Sequence, residues 1–145
     1  MAEKLPQSPR DAYWRMLEEG RLCFQRCAGC GHAWLPPRED CPACWSPDWA
    51  FEEAGGEAKV VSWVVFHTAF DEAFEKRLPY NVAVVELKEG PRLYTNIVDL
   101  PKDEDIVDRP ARLAIERDMD RALPRFRLMP RPKNETVNRR GNTDD

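Results

Sequence analysis

A chain of 145 residues with 13 prolines and 33% charged side chains suits one domain or two small ones and excludes a coiled coil. No apolar run approaches the roughly 20 residues of a membrane helix, and the start, MAEKLPQSPRD, lacks a secretory apolar segment, so a soluble cytoplasmic protein is expected. The formal charge of −4, from 22 basic and 26 acidic residues, disfavours bulk nucleic-acid binding, which draws on phosphate neutralisation.

Residues 8 to 20 read as a short helix. Ser8 is a cap, Pro9 suits the first helical position, Asp11 sits in the first turn and Gly20 is a stop. Tyr13, Trp14, Met16 and Leu17 form its apolar face, for packing or for docking. The stretch RLCFQR then alternates like a short strand, with Leu22 and Phe24 on one face and Cys23 and Gln25 on the other.

Four of the five cysteines fall in two pairs, C-A-G-C-G-H and C-P-A-C-W. Two residues between cysteines let both thiolates of one turn reach a single ion. Gly31 permits the first turn and Pro42 fixes the second. Cys27, Cys30, Cys41 and Cys44 thus form a closed four-sulfur metal site, expected to hold structural zinc, with rubredoxin-like iron as the rival. A closed site leaves no position for Lewis-acid chemistry, so its free energy goes into folding. Cys23 lies outside the pattern as a small half-buried side chain. His32 could replace a cysteine, but four cysteines suffice, so it is expected at the surface or next to the ligands.

From about Glu57 the pattern turns β. EAKVVSWVVFHTAF, YNVAVVELKE, RLYTNIVDL, ARLAIERDM and ALPRFRLM read as five strands, with a hairpin turn at Glu89-Gly90-Pro91. A mostly β chain is expected: N-terminal helix, rubredoxin-like zinc ribbon, then a five-stranded OB-fold barrel. The expected segments are helix 1–20, ribbon 21–54, barrel 55–130 and a flexible basic tail 131–145. Residues 71 to 79 interrupt the first two strands with room for a helical turn, which puts Phe70, Phe74 and Leu78 on one side. Basic residues dominate from Arg109 to Arg140, either as a solvated face and tail or as a surface for a phosphate-bearing ligand or acidic partner.

His32 and His67 are the only histidines. No nucleophile elbow, Walker loop or dinucleotide fingerprint occurs. No self-contained catalytic constellation emerges, and an accessory or binding role is expected.

Trp14, Gly20-Arg21-Leu22, the two cysteine pairs, Pro36-Pro37, the phrase from Pro79 through Tyr80-Asn81-Val82-Ala83-Val84-Val85-Glu86 to Leu87, and Leu123-Pro124-Arg125-Phe126 together resemble the zinc-ribbon OB-fold family catalogued as domain of unknown function 35. The resemblance spans residues 8 to 130. The chain departs from the family's glycine-rich first-strand start at Gly55-Gly56-Glu57-Ala58, and from its glycine before the fourth strand at Arg109-Pro110. The resemblance implies a hetero-oligomer: a non-catalytic subunit beside a thiolase-like enzyme, with acyl-CoA as a shared ligand and the partner supplying the catalytic groups. A candidate acyl-CoA lip is then His67, Thr68, Phe70, Phe74, Arg77 and Tyr80, which mix apolar, hydrogen-bonding and cationic groups. The five tryptophans are candidate anchors for the partner. Competing readings are a single-stranded nucleic-acid-binding OB-fold, a stand-alone acyl-CoA carrier, and a rubredoxin-like electron-transfer protein.

Overall fold

The computed structural model describes residues 8–68 and 77–130. Helix α1 (Pro9–Glu18) begins as its sequence dictates: Ser8 is extended, and its Oγ accepts from the Asp11 amide at 3.1 Å. Gly20 follows the helix at φ 86°, a left-handed value that costs a residue without Cβ little. Tyr13, Met16 and Leu17 are buried, as the apolar spacing requires. Burial, reinforced by the neighbouring Cys23, pushes the Tyr13 hydroxyl up to about 12. No described helix is long and apolar enough to cross a membrane.

The ribbon is a three-stranded antiparallel sheet of β1 (Cys23–Cys27), β2 (Ala33–Trp34) and β3 (Trp49–Glu53), with β1 central. Leu22, Cys23, Phe24 and Gln25 are all buried, so both faces of this segment are covered. Leu22 and Phe24 enter the core of the barrel. Gln25 on the other face is accommodated because its amide brackets Arg38. Nε2 donates to the Arg38 carbonyl and Oε1 accepts from the Arg38 amide, both at 2.8 Å. A fully buried amide is tolerated only with such partners.

The second part is a six-stranded sheet in the order β6-β5-β4-β8-β11-β7. Its strands are β4 (Glu57–Phe66), β5 (Tyr80–Leu87), β6 (Arg92–Thr95), β7 (Ile97–Val98), β8 (Pro110–Leu113) and β11 (Phe126–Leu128). Only Asn96 separates β6 from β7, so the two ends of the sheet are halves of one segment and the sheet curls toward a barrel. Asn81 stitches the junction: Nδ2 donates to the Ile97 carbonyl at 3.0 Å, and Oδ1 accepts from the Ile97 amide at 2.7 Å. The interior is Val60, Val85, Leu87, Ile97, Ile106, Ala111 and Phe126, continuous with Leu17, Leu22 and Phe24.

The first two expected strands and their hairpin are found, with Gly90 at φ 117°. The third breaks at Asn96. The fourth and fifth each break in two, adding a hairpin of β9 (Glu116–Asp118) and β10 (Arg121–Leu123). Its loop is Met119 and Asp120, at φ 52° and 63°. Two consecutive positive values are the geometry of a tight two-residue hairpin, but methionine gives no sign of it in sequence. The helix docks on this hairpin, where the Glu18 carboxylate accepts from the Ala122 amide at 2.9 Å and pairs with Arg117. The expected helical turn near Phe74 and the tail 131–145 lie outside the described residues.

Gln25→Ala strips Arg38 of both partners and leaves a void, so it should destabilise the fold by about 2–4 kcal/mol in urea unfolding. A loss below about 0.5 kcal/mol would show that the bracket contributes little.

Candidate metal centre and surrounding surfaces

The two cysteine turns are near-copies. In the first, the Cys27 amide donates to the His32 carbonyl at 2.9 Å and the Gly31 amide to the Cys27 carbonyl at 3.1 Å. In the second, Cys41 donates to Ser46 at 2.9 Å and Trp45 to Cys41 at 2.7 Å. Each leading sulfur also accepts from two amides: Cys27 Sγ from Gly29 (3.3 Å) and Cys30 (3.4 Å), Cys41 Sγ from Ala43 (3.3 Å) and Cys44 (3.5 Å). Gly31 sits at φ 79°, as its place in the turn requires, and Trp45 takes the matching place at φ 67°. A bulky side chain there is strained, and the sequence carried no sign of it.

All four ligand sulfurs lie within 4.8 Å of one another. Cys27 and Cys44 are 3.6 Å apart, and Cys30 and Cys41 3.7 Å. A tetrahedral ion with metal–sulfur bonds of roughly 2.3 Å sets its sulfurs about 3.8 Å apart, so the four cysteines are positioned for such a metal. The Cys27 thiol is drawn down to about 6, first by the Cys30 amide and then by the Gly29 amide and the neighbouring sulfurs, against the opposing effect of desolvation. At Cys44 the Ser46 amide pulls down, but hydrogen bonding to Cys27, desolvation and the other two sulfurs push the thiol up to about 12. One thiol drawn down beside another pushed up is an electrostatic state that a divalent cation would relieve. His32 is exposed, stacked on Trp34 with ring centroids 6.0 Å apart, and is not among the four ligands. Cys23 is buried apart from the site, and burial raises its thiol.

The lip residues are only partly gathered. His67 and Thr68 are exposed at the end of β4. Tyr80 is tilted against Phe66, with centroids 5.3 Å apart. Arg77 donates twice to Asp118, at 2.7 and 2.9 Å, while Arg125 donates to the same carboxylate at 2.8 Å and to Glu116 at 3.0 Å. A phosphate reaching Arg77 would have to displace that carboxylate. The hydrogen bonds from Arg77 first, then Arg125, hold Asp118 well below the usual carboxylate range. Arg77, Tyr80, Asn81 and Arg125 line a cavity of about 460 Å³. Phe70 and Phe74 lie outside the described residues.

A larger cavity, about 780 Å³, was not anticipated. It lies where α1, the Leu35-Pro36-Pro37 turn, β6 and Leu123-Pro124 meet. Both proline-bearing phrases had stood out in the sequence, but nothing there showed that they face one another. Of the tryptophans, Trp34 is buried, Trp14, Trp49 and Trp63 are half-buried, and Trp45 is 69% exposed.

Cys27→Ser and Cys44→Ser should each abolish stoichiometric zinc in metal analysis and lose the ribbon's amide signals in NMR. Full zinc content in either variant would refute the ligand set. Asp118→Asn should lower the melting temperature at pH 7. A depressed carboxylate stabilises above its ordinary value near 4 and loses that contribution as pH falls toward its folded value. The gap between variant and wild type should therefore narrow only below about pH 4, and a gap already closed at pH 6 would contradict the clamp.

Comparison with known proteins agrees with this geometry. The family profile described as "ChsH2, rubredoxin-like zinc ribbon domain" matches residues 14–50, and "ChsH2, C-terminal OB-fold domain" matches residues 51–116. A Thermomonospora curvata protein named "Probable enoyl-CoA hydratase alpha subunit" is 42% identical over 84% of this chain, which spans only 39% of that protein. A "DUF35 domain-containing scaffold protein" of Methanocaldococcus jannaschii is 42% identical over 64% of this chain and 66% of its own length. A chain of the solved structure "Ltp2-ChsH2(DUF35) aldolase" superposes with a TM-score of 0.73 at 38% identity, over 86% of this chain and 97% of that one. With both its ribbon and its barrel matched, the chain belongs to the zinc-ribbon OB-fold family of domain of unknown function 35.

Proposed function

We propose that this chain is a non-catalytic, zinc-binding accessory subunit of a thiolase-like enzyme acting on acyl-CoA thioesters. It sits in a cytoplasmic hetero-oligomer, where it shapes the active-site entrance or contacts the acyl-CoA. The observation that carries this reading is the match over 86% of the chain to the DUF35 chain of a solved aldolase. A relative named as an enoyl-CoA hydratase subunit supports the thioester chemistry.

The donor set assigns the metal its part. Cys27, Cys30, Cys41 and Cys44 would hold zinc with no open position, so the ion supplies folding free energy rather than a Lewis acid. The ribbon, residues 21–54, is then a metal-held scaffold, and residues 55–130 carry the surface toward ligand and partner. His67, Thr68, Phe70, Phe74, Arg77 and Tyr80 remain the proposed acyl-CoA lip. Tyr80 and Phe66 offer an apolar wall there, and Arg77 offers a guanidinium on release from Asp118.

Affinity purification of the tagged chain from its native host at moderate salt, with partners identified by mass spectrometry, tests the reading. A near-stoichiometric thiolase-like subunit is expected. Recovery of the chain alone, or with nucleic acid, would overturn it.

A further inference from the structure

We propose that the groove between α1 and the outer edge of β6 receives an extended, carboxylate-bearing segment of a partner protein, added as one further strand. β6 is an end strand of its sheet and pairs through its backbone with β5. The phase of that ladder is set by the Leu87 amide, which donates to the Pro91 carbonyl at 2.8 Å. Bonded pairs in an antiparallel ladder recur at every second residue. Leu93 and Thr95 therefore turn their main-chain groups to β5, and Arg92 and Tyr94 turn theirs outward. Among the described residues no backbone hydrogen bond reaches those outward groups. An open strand edge is a template for another chain, and peptide recognition by strand addition uses it.

The groove beside that edge has room for side chains, at about 780 Å³, with Trp14, Pro36, Pro37 and Pro124 among its walls. Tyr94 stands 77% exposed over it. Its charge selects the occupant. The chain as a whole carries −4, yet the lining includes Arg10 and Arg92 and no carboxylate. Arg92 meets Glu86 only at 3.8 Å, and Arg121 lies over the Trp14 ring at 4.3 Å. Guanidinium groups beside an apolar trough complement a strand that alternates apolar and acidic side chains. An acyl chain would use the walls and leave the outward N–H and C=O groups unpaired.

The inference goes beyond the accessory-subunit reading. The assay needs only this chain, so its failure is distinct from failure to find a partner enzyme. A displayed library of random peptides is panned on the zinc-loaded full chain, and selected sequences are remade as synthetic peptides for fluorescence anisotropy. Extended sequences with apolar and acidic residues are expected. Tyr94→Ala removes the ring alone; Tyr94→Pro also removes the outward N–H at a strand position where proline is tolerated. The proline variant should bind about tenfold more weakly than the alanine variant, the worth of a main-chain hydrogen bond. Arg10→Glu with Arg92→Glu should abolish the preference for acidic peptides, and this readout stands even if the proline variant fails to fold. The proposal is overturned if no peptide is enriched, if the proline and alanine variants bind alike, if charge reversal changes nothing, or if hexanoyl-CoA displaces every selected peptide.

Discussion

Four cysteine sulfurs held within 4.8 Å of one another are the constraint on which the rest of the molecule depends. Ionised thiolates at that spacing repel one another, and protonated ones leave the six amide and sulfur contacts weakly satisfied; a closed divalent cation would resolve both. The consequence reaches beyond the ribbon because β1 serves two cores. Its last residue, Cys27, is one of the four cysteines positioned for a metal, while Phe24 within it and Leu22 just before it are fully buried among the barrel residues. The ribbon's own core is little more than Cys27, Trp34 and Cys41 with Trp49 packed against them, too small to fold unaided. The free energy of a metal bound there would be carried along this segment into the barrel, and from there to the helix that walls the large groove.

The elements legible in sequence are those set by local chemistry. The Ser8 cap, the knuckle glycine Gly31, the hairpin at Gly90 and the cysteine spacing all act through neighbours in the chain. What stayed hidden depends on partners far away. Gln25 is legible in sequence only as lying on the face opposite Leu22 and Phe24; its buried amide completes the backbone of Arg38, thirteen positions on. Asn81 plays the same part for Ile97 across the barrel junction. Trp45 and the Met119–Asp120 pair adopt left-handed backbone with residue types that do not announce it. The groove joins Trp14 to Pro124, a juxtaposition that only the assembled fold creates.

The basic stretch from Arg109 onward also changes meaning. Within the described residues Arg109 faces Glu104, Arg112 faces Glu57, Arg125 faces Asp118 and Arg127 faces Asp99. The exposed pairs, Arg112–Glu57 and Arg127–Asp99, contribute little stability each, but all four pairs engage the charges that a phosphate surface would need. At the groove, Arg10 and Arg92 are among the lining residues, and Arg121 lies over the Trp14 ring beside it. On the proposed reading, the protein acts by presenting surfaces, held in place by a metal that takes no part in chemistry.

Native mass spectrometry of the chain with its co-purified enzyme, before and after zinc is stripped by a chelator and then restored, tests that account most directly. It predicts a hetero-oligomer containing one zinc per copy of this chain, lost with the metal and recovered with it. A complex that persists unchanged on the zinc-free chain would contradict it.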